Sequence, residues 1–216
     1  MEIEALIEKH PYLYHMAEMG SWPSIRANGL WSTSALLDHH QITGTARFDQ
    51  ESRHRPEKVT LTSPHFVTTV LRDQKPMSDT RLEDALRDGL TPRNWYEILN
   101  RKTFFWVSEE RLLTLLNARA YRNEEHDVLT LRSEPIIRAY HDRISLCHMN
   151  SGNTFPMPHK RGRDTFLPIA DYPVDARGRP CKPVVELVVD YGVPNISEYV
   201  VSVRRMRGNQ VLSTLA

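Results

Sequence analysis

Pro183-Val184-Val185-Glu186-Leu187-Val188-Val189, running on to Val193-Pro194, is the stretch whose reading decides the fold. Six of its seven residues are apolar or proline. A continuous run of β-branched residues and Leu predicts a strand buried on both faces. One acid interrupts it. An unpaired carboxylate in such surroundings costs several kcal/mol unless it neutralises or finds a partner. Two readings of Glu186 therefore stand side by side. In one it points from an edge strand into water, or pairs with one of the 28 Lys and Arg residues. In the other it lines a cleft and does chemistry there.

The rest of the composition is that of an ordinary globular chain. Its 216 residues suffice for one domain with a proper core, so a single domain over 1–216 is expected. Hydrophobic residues make up 40% and charged residues 25%, which argues against disorder. No apolar run approaches the length that spans a bilayer, and no leader-like stretch opens the chain. A cytoplasmic protein without a membrane partner is the expectation. Cys147 and Cys181 are too few for a disulfide scaffold and read as free thiols. Residues 151–216 hold nine Lys/Arg against six Asp/Glu, so the positive charge gathers toward that end. Such a bias suits a phosphate-bearing partner without requiring one.

Upstream, Tyr12 to His15 predicts a short strand. A helix follows, with Ser21 at its start, Pro23 in its first turn and Asn28-Gly29 at its end. Ser32 to Ser34 reads as a polar turn. The polar stretch 38–58 reads as a loop or lid. It holds His39, His40 and His54, but no ligand spacing that predicts a metal site. Val59 to Thr62 is a candidate strand. Thr80-x-x-Glu83 has the spacing of a capping box before a helix carrying Leu82, Ala85 and Leu86. Thr91-Pro92 opens a second helix, with Trp95 and Leu99 on its buried side. Thr103 to Val107 predicts an aromatic strand. A helix then starts after Ser108, with Leu112, Leu113, Leu115 and Leu116 covering its core side. Strands are expected at 128–131, 144–147, 165–169, 184–190 and 199–205, with a helix at 133–141. His159 to Arg163 reads as an exposed basic loop. Helices mostly early and strands gathered late make an α+β chain.

Three pieces carry the chemistry. Tyr14-His15 leads into His15-x9-Ile25-x3-Gly29-Leu30. Phe104-Phe105-Trp106 runs into the helix bearing Arg111. Glu186 is followed by Val193-Pro194. In this order they resemble the ADP-ribosyltransferase fold, and within it the DNA-modifying toxins called DarT. Those begin with a strand ending in His and a helix reading roughly S-I-x-x-x-G-L, here Ser24 to Leu30. They continue with an aromatic strand entering an Arg-bearing helix, and end with a Glu strand followed by V-P. The matched residues number about twenty. Leu99 to Trp106 also resembles an uncharacterised bacterial family containing L-N-R-x-x-F-F-W, which supplies no function.

The resemblance implies a split β-sheet core with flanking helices and a helical insertion around 62–100. It implies NAD as the cofactor, held by His15, Tyr14, Gly29, Leu30 and Phe105, with Glu186 and Arg111 as catalytic residues. ADP-ribose transfer passes through an oxocarbenium-like transition state that a carboxylate can stabilise. The implied activity is a NAD-dependent mono-ADP-ribosyltransferase acting on a nucleic-acid base, DNA or RNA. The biological setting would be a toxin or defence effector, with an antitoxin as a possible partner. Lys160, Arg161 and Arg163 would contact the nucleic acid. The sequence departs from the pattern at Met16-Ala17, where a Ser or Thr is expected nearby. It departs again at Glu109, which stands where the family's Arg follows the aromatic strand. Arg101, Arg111 and Arg119 all remain candidates for that role. Two rival readings are a catalytically inactive nucleotide- or partner-binding module of the same fold, and a metal-independent ribonuclease using His15 with a second His.

Overall fold

The apolar run around Glu186 becomes a strand inside an eight-stranded antiparallel sheet. The computed structural model describes residues 1–216 as an α+β fold with eight α-helices. The first third holds α1 (Ile3–Lys9), β1 (Tyr12–Glu18), α2 (Trp22–Asn28), β2 (Leu30–Trp31), α3 (Thr33–His39), α4 (Gly44–Glu51), β3 (Val59–Leu61) and β4 (Thr69–Leu71). The middle holds α5 (Asp79–Ala85), α6 (Pro92–Asn100), β5 (Lys102–Trp106), α7 (Glu109–Leu116), β6 (His126–Arg132), α8 (Ser133–Tyr140) and β7 (Ile144–Cys147). The last third is strand only, apart from short 3₁₀ turns: β8 (Leu167–Pro168), β9 (Glu186–Asp190), β10 (Gly192–Val193), β11 (Val200–Arg207) and β12 (Gln210–Thr214). The sheet order is β12-β11-β6-β1-β5-β9-β7-β8. No helix is long and apolar enough to cross a membrane.

Both faces of the sheet are covered, which is why β9 is apolar at successive positions. Leu187 and Val189 point to one face, where Leu6 of α1, Trp22 and Ile25 of α2, and Ile136 and Ile137 of α8 complete the main core. On the other face, Leu112 and Leu116 of α7 pack on Val128 and Met206. Beside them, Leu82 of α5 and Trp95, Tyr96 and Leu99 of α6 form a second cluster that reaches Phe104 and Phe166.

Several expectations change. The polar turn at 32–34 and the loop at 38–58 contain α3 and α4. Ser32 caps α3 by accepting the Ala35 N–H at 3.2 Å, and Ala35 and Leu37 are buried beneath it. Helix α4 buries no residue; the Arg47–Asp38 ion pair ties it to α3, and Arg47 also pairs with Glu51 within α4. The capping box at Thr80 does not form, because α5 begins two residues earlier, with Ser78 at its N-cap. The strand expected at 165–169 shrinks to Leu167–Pro168, since Pro168 has no N–H to donate and can serve only at the sheet edge. The 62–100 insertion contributes α5 and α6 to the sheet's cover, and also the strand β4, which pairs with β3.

Two separated motifs meet at the end of α2. Leu30 of β2 pairs with Val193 of β10. Gly29, between them, adopts φ 93° and ψ 169°, a region open essentially to glycine alone. A Cβ there would lie 2.7 Å from both the Cα and the carbonyl oxygen of Pro194. Gly29→Ala is therefore expected to lower stability by about 1–3 kcal/mol from backbone strain alone, with the clash adding to it. Urea unfolding of the two proteins checks this; equal midpoints would contradict it.

Candidate active site

The sheet is nearly interrupted in its middle. β1 pairs with β6 along its whole length, from Tyr12 to Glu18. On its other side it meets β5 at one register position only, Tyr14 opposite Trp106. Beyond that point the ladder stops. Residues His15 to Glu18 and Lys102 to Trp106 instead line a cavity of about 460 Å³, together with Gly29, Leu30, Trp31, Phe66, Arg72 and Glu186. That volume falls within the ~300–1,000 Å³ range of small-molecule sites.

His15 stands in the gap. β1 runs three residues past it, so it lies mid-strand and not at the strand end expected from sequence. Its Nδ1–H donates to the Phe104 carbonyl at 2.8 Å. That bond selects the tautomer in which Nε2 is an acceptor, and Nε2 has no protein partner. Burial pulls the His15 pKa down to about 4, against the opposing effect of the Phe104 bond, and the Arg72 charge pushes the same way as burial. The imidazole is neutral at physiological pH.

Glu186 opens β9, with Trp106 and Cys147 as its register partners on either side. It is 3% exposed and yet lines the cavity. The Ser151 amide N–H donates to its carboxylate at 3.2 and 3.3 Å, and the Ser151 hydroxyl donates at 2.7 Å. Burial outweighs these bonds and the charge of Arg161, and raises the Glu186 pKa to about 7. Burial also pushes the neighbouring Cys147 thiol up, so that it stays protonated. By strand alternation Glu186 shares a face with Trp106, and His15 shares the opposite face with Leu13 and Ala17. Both reach the same cavity because it is lined from both faces where the strands part.

Five of the residues singled out from sequence line this cavity: His15, Gly29, Leu30, Phe105 and Glu186. Phe105 does so from behind, with its ring fully buried in the main core and 5.9 Å from the His15 ring. Tyr14 does not line it. Its ring packs with Trp106 against the α7 cluster. Arg111 is exposed, because Leu112 and Leu116 occupy the buried stripe of α7 and turn it to solvent. Arg101 and Arg119 are exposed as well. The cations in the cavity wall are Arg55, Arg72 and Lys102. The basic loop is also corrected. Lys160 and Arg163 are exposed, but Arg161 is fully buried. Its main chain is tied to the end of α5, with Arg161 N–H donating to Ala85 O at 3.0 Å and Arg87 N–H to Arg161 O at 2.9 Å. The histidines of the former loop are spent on structure. His39 stacks on Phe66, His40 bonds Ser63 and Thr69, and His54 bonds the Gln74 carbonyl.

Residues 11–200 match the sequence profile of DUF7002, a family of unknown function. The chain belongs to that family. No curated protein and no solved structure matches it. The DUF7002 match runs from the start of β1 to the first residue of β11, so it includes every strand of the cavity. Sequence reading missed Ser151, Arg72 and Lys102 in this DUF7002 site. Nothing local in the sequence links Ser151 to Glu186, because their bond spans 35 positions of chain.

The two titrating groups set opposite pH dependences. Glu186 has a folded pKa above its unfolded value near 4.5, so its contribution to stability is complete below that value and is lost as pH rises through about 7. His15 has a folded pKa below its ordinary 6.5, so the unfolded chain binds more protons between about 4 and 6.5, and stability rises with pH there. Glu186→Gln removes only the falling limb. The stability of wild type relative to this variant is expected to fall by up to about 3 kcal/mol between pH 4.5 and 7.5, at ~1.4 kcal/mol per unit. Urea unfolding across that range measures the difference; a flat difference would contradict the burial-raised carboxyl.

Proposed function

We propose that the protein is a NAD-dependent mono-ADP-ribosyltransferase acting on a nucleic-acid base, with Glu186 as its catalytic carboxylate. The observation that carries this reading is that His15 and Glu186 line one cavity at the parting of the sheet. Further support comes from strand order. The three strands that bear the resemblance, β1, β5 and β9, are consecutive in the sheet.

The residues present fit a dinucleotide. The wall offers an unpartnered imidazole acceptor, aromatic surfaces at Trp31, Phe66 and Phe104, and the positive charges of Arg72 and Lys102. NAD would supply ADP-ribose through its bond between nicotinamide and ribose. Neutral His15 accepts a hydrogen bond from a sugar hydroxyl through Nε2. Ionised Glu186 opposes the positive charge that develops at the anomeric carbon, and accepts the proton of the incoming nucleophile. A carboxylate titrating near pH 7 is well matched to proton transfer at neutral pH. Arg72 and Lys102 take over the cationic role first sought at Arg111. The nucleic-acid acceptor is supported by the surface cations Lys160 and Arg163, and by Arg101, which shares a groove with Arg163.

The test is nicotinamide release from NAD together with transfer of labelled ADP-ribose to DNA, RNA and protein. Wild type should release nicotinamide, with kcat rising through about pH 7 as Glu186 ionises. Glu186→Gln should lower turnover at least a hundredfold while the protein stays folded and NAD affinity stays near wild type. His15→Ala should weaken NAD binding by ~1–3 kcal/mol. Absence of nicotinamide release from the wild-type protein with every acceptor overturns the reading; NAD binding without release would favour a binding module instead.

A separate measurement addresses the acceptor. Replacing Arg101, Lys160 and Arg163 with Gln should weaken oligonucleotide binding and reduce its salt dependence by about one unit of slope per lost phosphate contact. An unchanged slope in fluorescence titrations would remove this surface from the contact.

A further inference from the structure

Arg161 is fully buried, at 0% exposure, and no function described above uses it. A guanidinium in that position is costly unless its donors are all engaged. It forms no carboxylate pair. Instead Nε donates to the His159 carbonyl at 3.0 Å, Nη1 to the Ser151 carbonyl at 2.8 Å, and Nη2 to the Asn153 carbonyl at 2.8 Å. Its plane lies over the Trp95 ring at 5.5 Å, and the Trp95 Nε1–H points to the same Ser151 carbonyl at 3.4 Å. Two of the three carbonyls belong to the turn at 150–153. Ser151 is thus gripped on its carbonyl side, while its N–H and hydroxyl both go to Glu186.

We propose that Arg161 is a positioning residue for Glu186, clamping the 150–153 turn so that Ser151 presents its amide and hydroxyl to the carboxylate. The proposal rests on the transferase reading only in calling Glu186 catalytic. The clamp has one fixed end, because the Arg161 main chain is bonded to Ala85 and Arg87. Its other contacts come from α6 through Trp95. The 62–100 insertion therefore holds the support of the carboxylate, although Glu186 belongs to the far end of the chain. Arg161 does not line the cavity, so it acts through Ser151 and not on a ligand. The ionisable groups that bear on Glu186 are Cys147, from β7, and Arg161 itself, while Trp106, from β5, is not ionisable. His15, Arg72, Asp73 and Lys102 lie elsewhere in the cavity wall.

The test compares Ser151→Ala, Arg161→Lys and Arg161→Gln with wild type. The Glu186 carboxyl is titrated directly by carbon NMR of glutamate-labelled protein, its signal assigned by its loss in Glu186→Gln. Arg161→Gln and Ser151→Ala should each raise the Glu186 midpoint by about one pH unit, since each removes a stabiliser of the ionised form. Arg161→Lys, which keeps the charge but cannot span both carbonyls, should give a smaller rise. In the NAD assay, kcat should fall about tenfold or more with KM within about twofold. An unchanged Glu186 midpoint in folded Arg161→Gln overturns the proposal. Should that variant not fold, an unchanged midpoint in both Ser151→Ala and Arg161→Lys overturns it equally. The titration needs no turnover. If wild type releases no nicotinamide, the transferase reading fails while the midpoints still decide the role of Arg161.

Discussion

A carboxylate that stays buried needs donors, and Glu186 receives its donors from a single residue. Ser151 offers both its main-chain N–H and its hydroxyl. Neither would point correctly without the turn at 150–153, and that turn is held by Arg161 and Trp95. The dependence runs through four separate parts of the chain: α6, the 150–153 turn, the 159–163 segment and β9. These bonds stabilise the ionised form, yet burial outweighs them, and the group titrates near neutrality. The local structure keeps Glu186 from being an orphan without making it a permanent ion.

The parting of the sheet raises a second accounting problem. When β1 and β5 separate past Tyr14 and Trp106, the carbonyls of β5 that face β1 lose their ladder partners. Phe104 recovers one through the His15 imidazole. The same bond that satisfies the backbone fixes the ring's tautomer and leaves Nε2 free. Structural repair and the presentation of a free imidazole nitrogen to the cavity are one interaction. The aromatic composition of β5 follows from the same geometry. Phe105 fills the core behind the gap, Trp106 packs against α7, and Phe104 meets α6 and Phe166.

Much of this arrangement could be read from the chain, for identifiable reasons. The Glu186 strand was legible because an acid inside a two-face-buried run is a local contradiction visible without coordinates. β5, β7, α6 and α7 were legible because their periodicity and caps are local. The link between Gly29-Leu30 and Val193-Pro194 was visible only as two motifs, and the structure joins them as the β2–β10 pair. What escaped depends on tertiary context. Arg161 sits among His159, Lys160 and Arg163, so its neighbours gave the appearance of a solvated loop. Only its bonds to α5 and to the 150–153 turn draw it inside. Helix α4 has no buried face to reveal it, and one ion pair, from Arg47, reaches back to Asp38. Arg111 falls outside the cavity because proximity in sequence to an aromatic strand says nothing about which side of a helix faces it.

Burial shifts His15 and Glu186 in opposite directions and with one result. It lowers His15 to about 4 and raises Glu186 to about 7, so each is pushed toward its uncharged form. Between those values the two groups together carry little charge, and they offer a ligand hydrogen bonds: an acceptor on Nε2 and a carboxylic proton at Glu186. Above pH 7 the carboxylate becomes charged in a wall that also contains Arg72 and Lys102. Neither cation can compensate it fully, since Arg72 is engaged with His126 and Glu18, and Lys102 with Asp190. The negative charge of the site is therefore conditional on pH, and the positive charge that opposes its loss is that of Arg161, whose side chain also holds the Ser151 carbonyl. A cavity built this way holds the Glu186 carboxyl close to the point of ionisation by a balance between dry surroundings and one clamped turn.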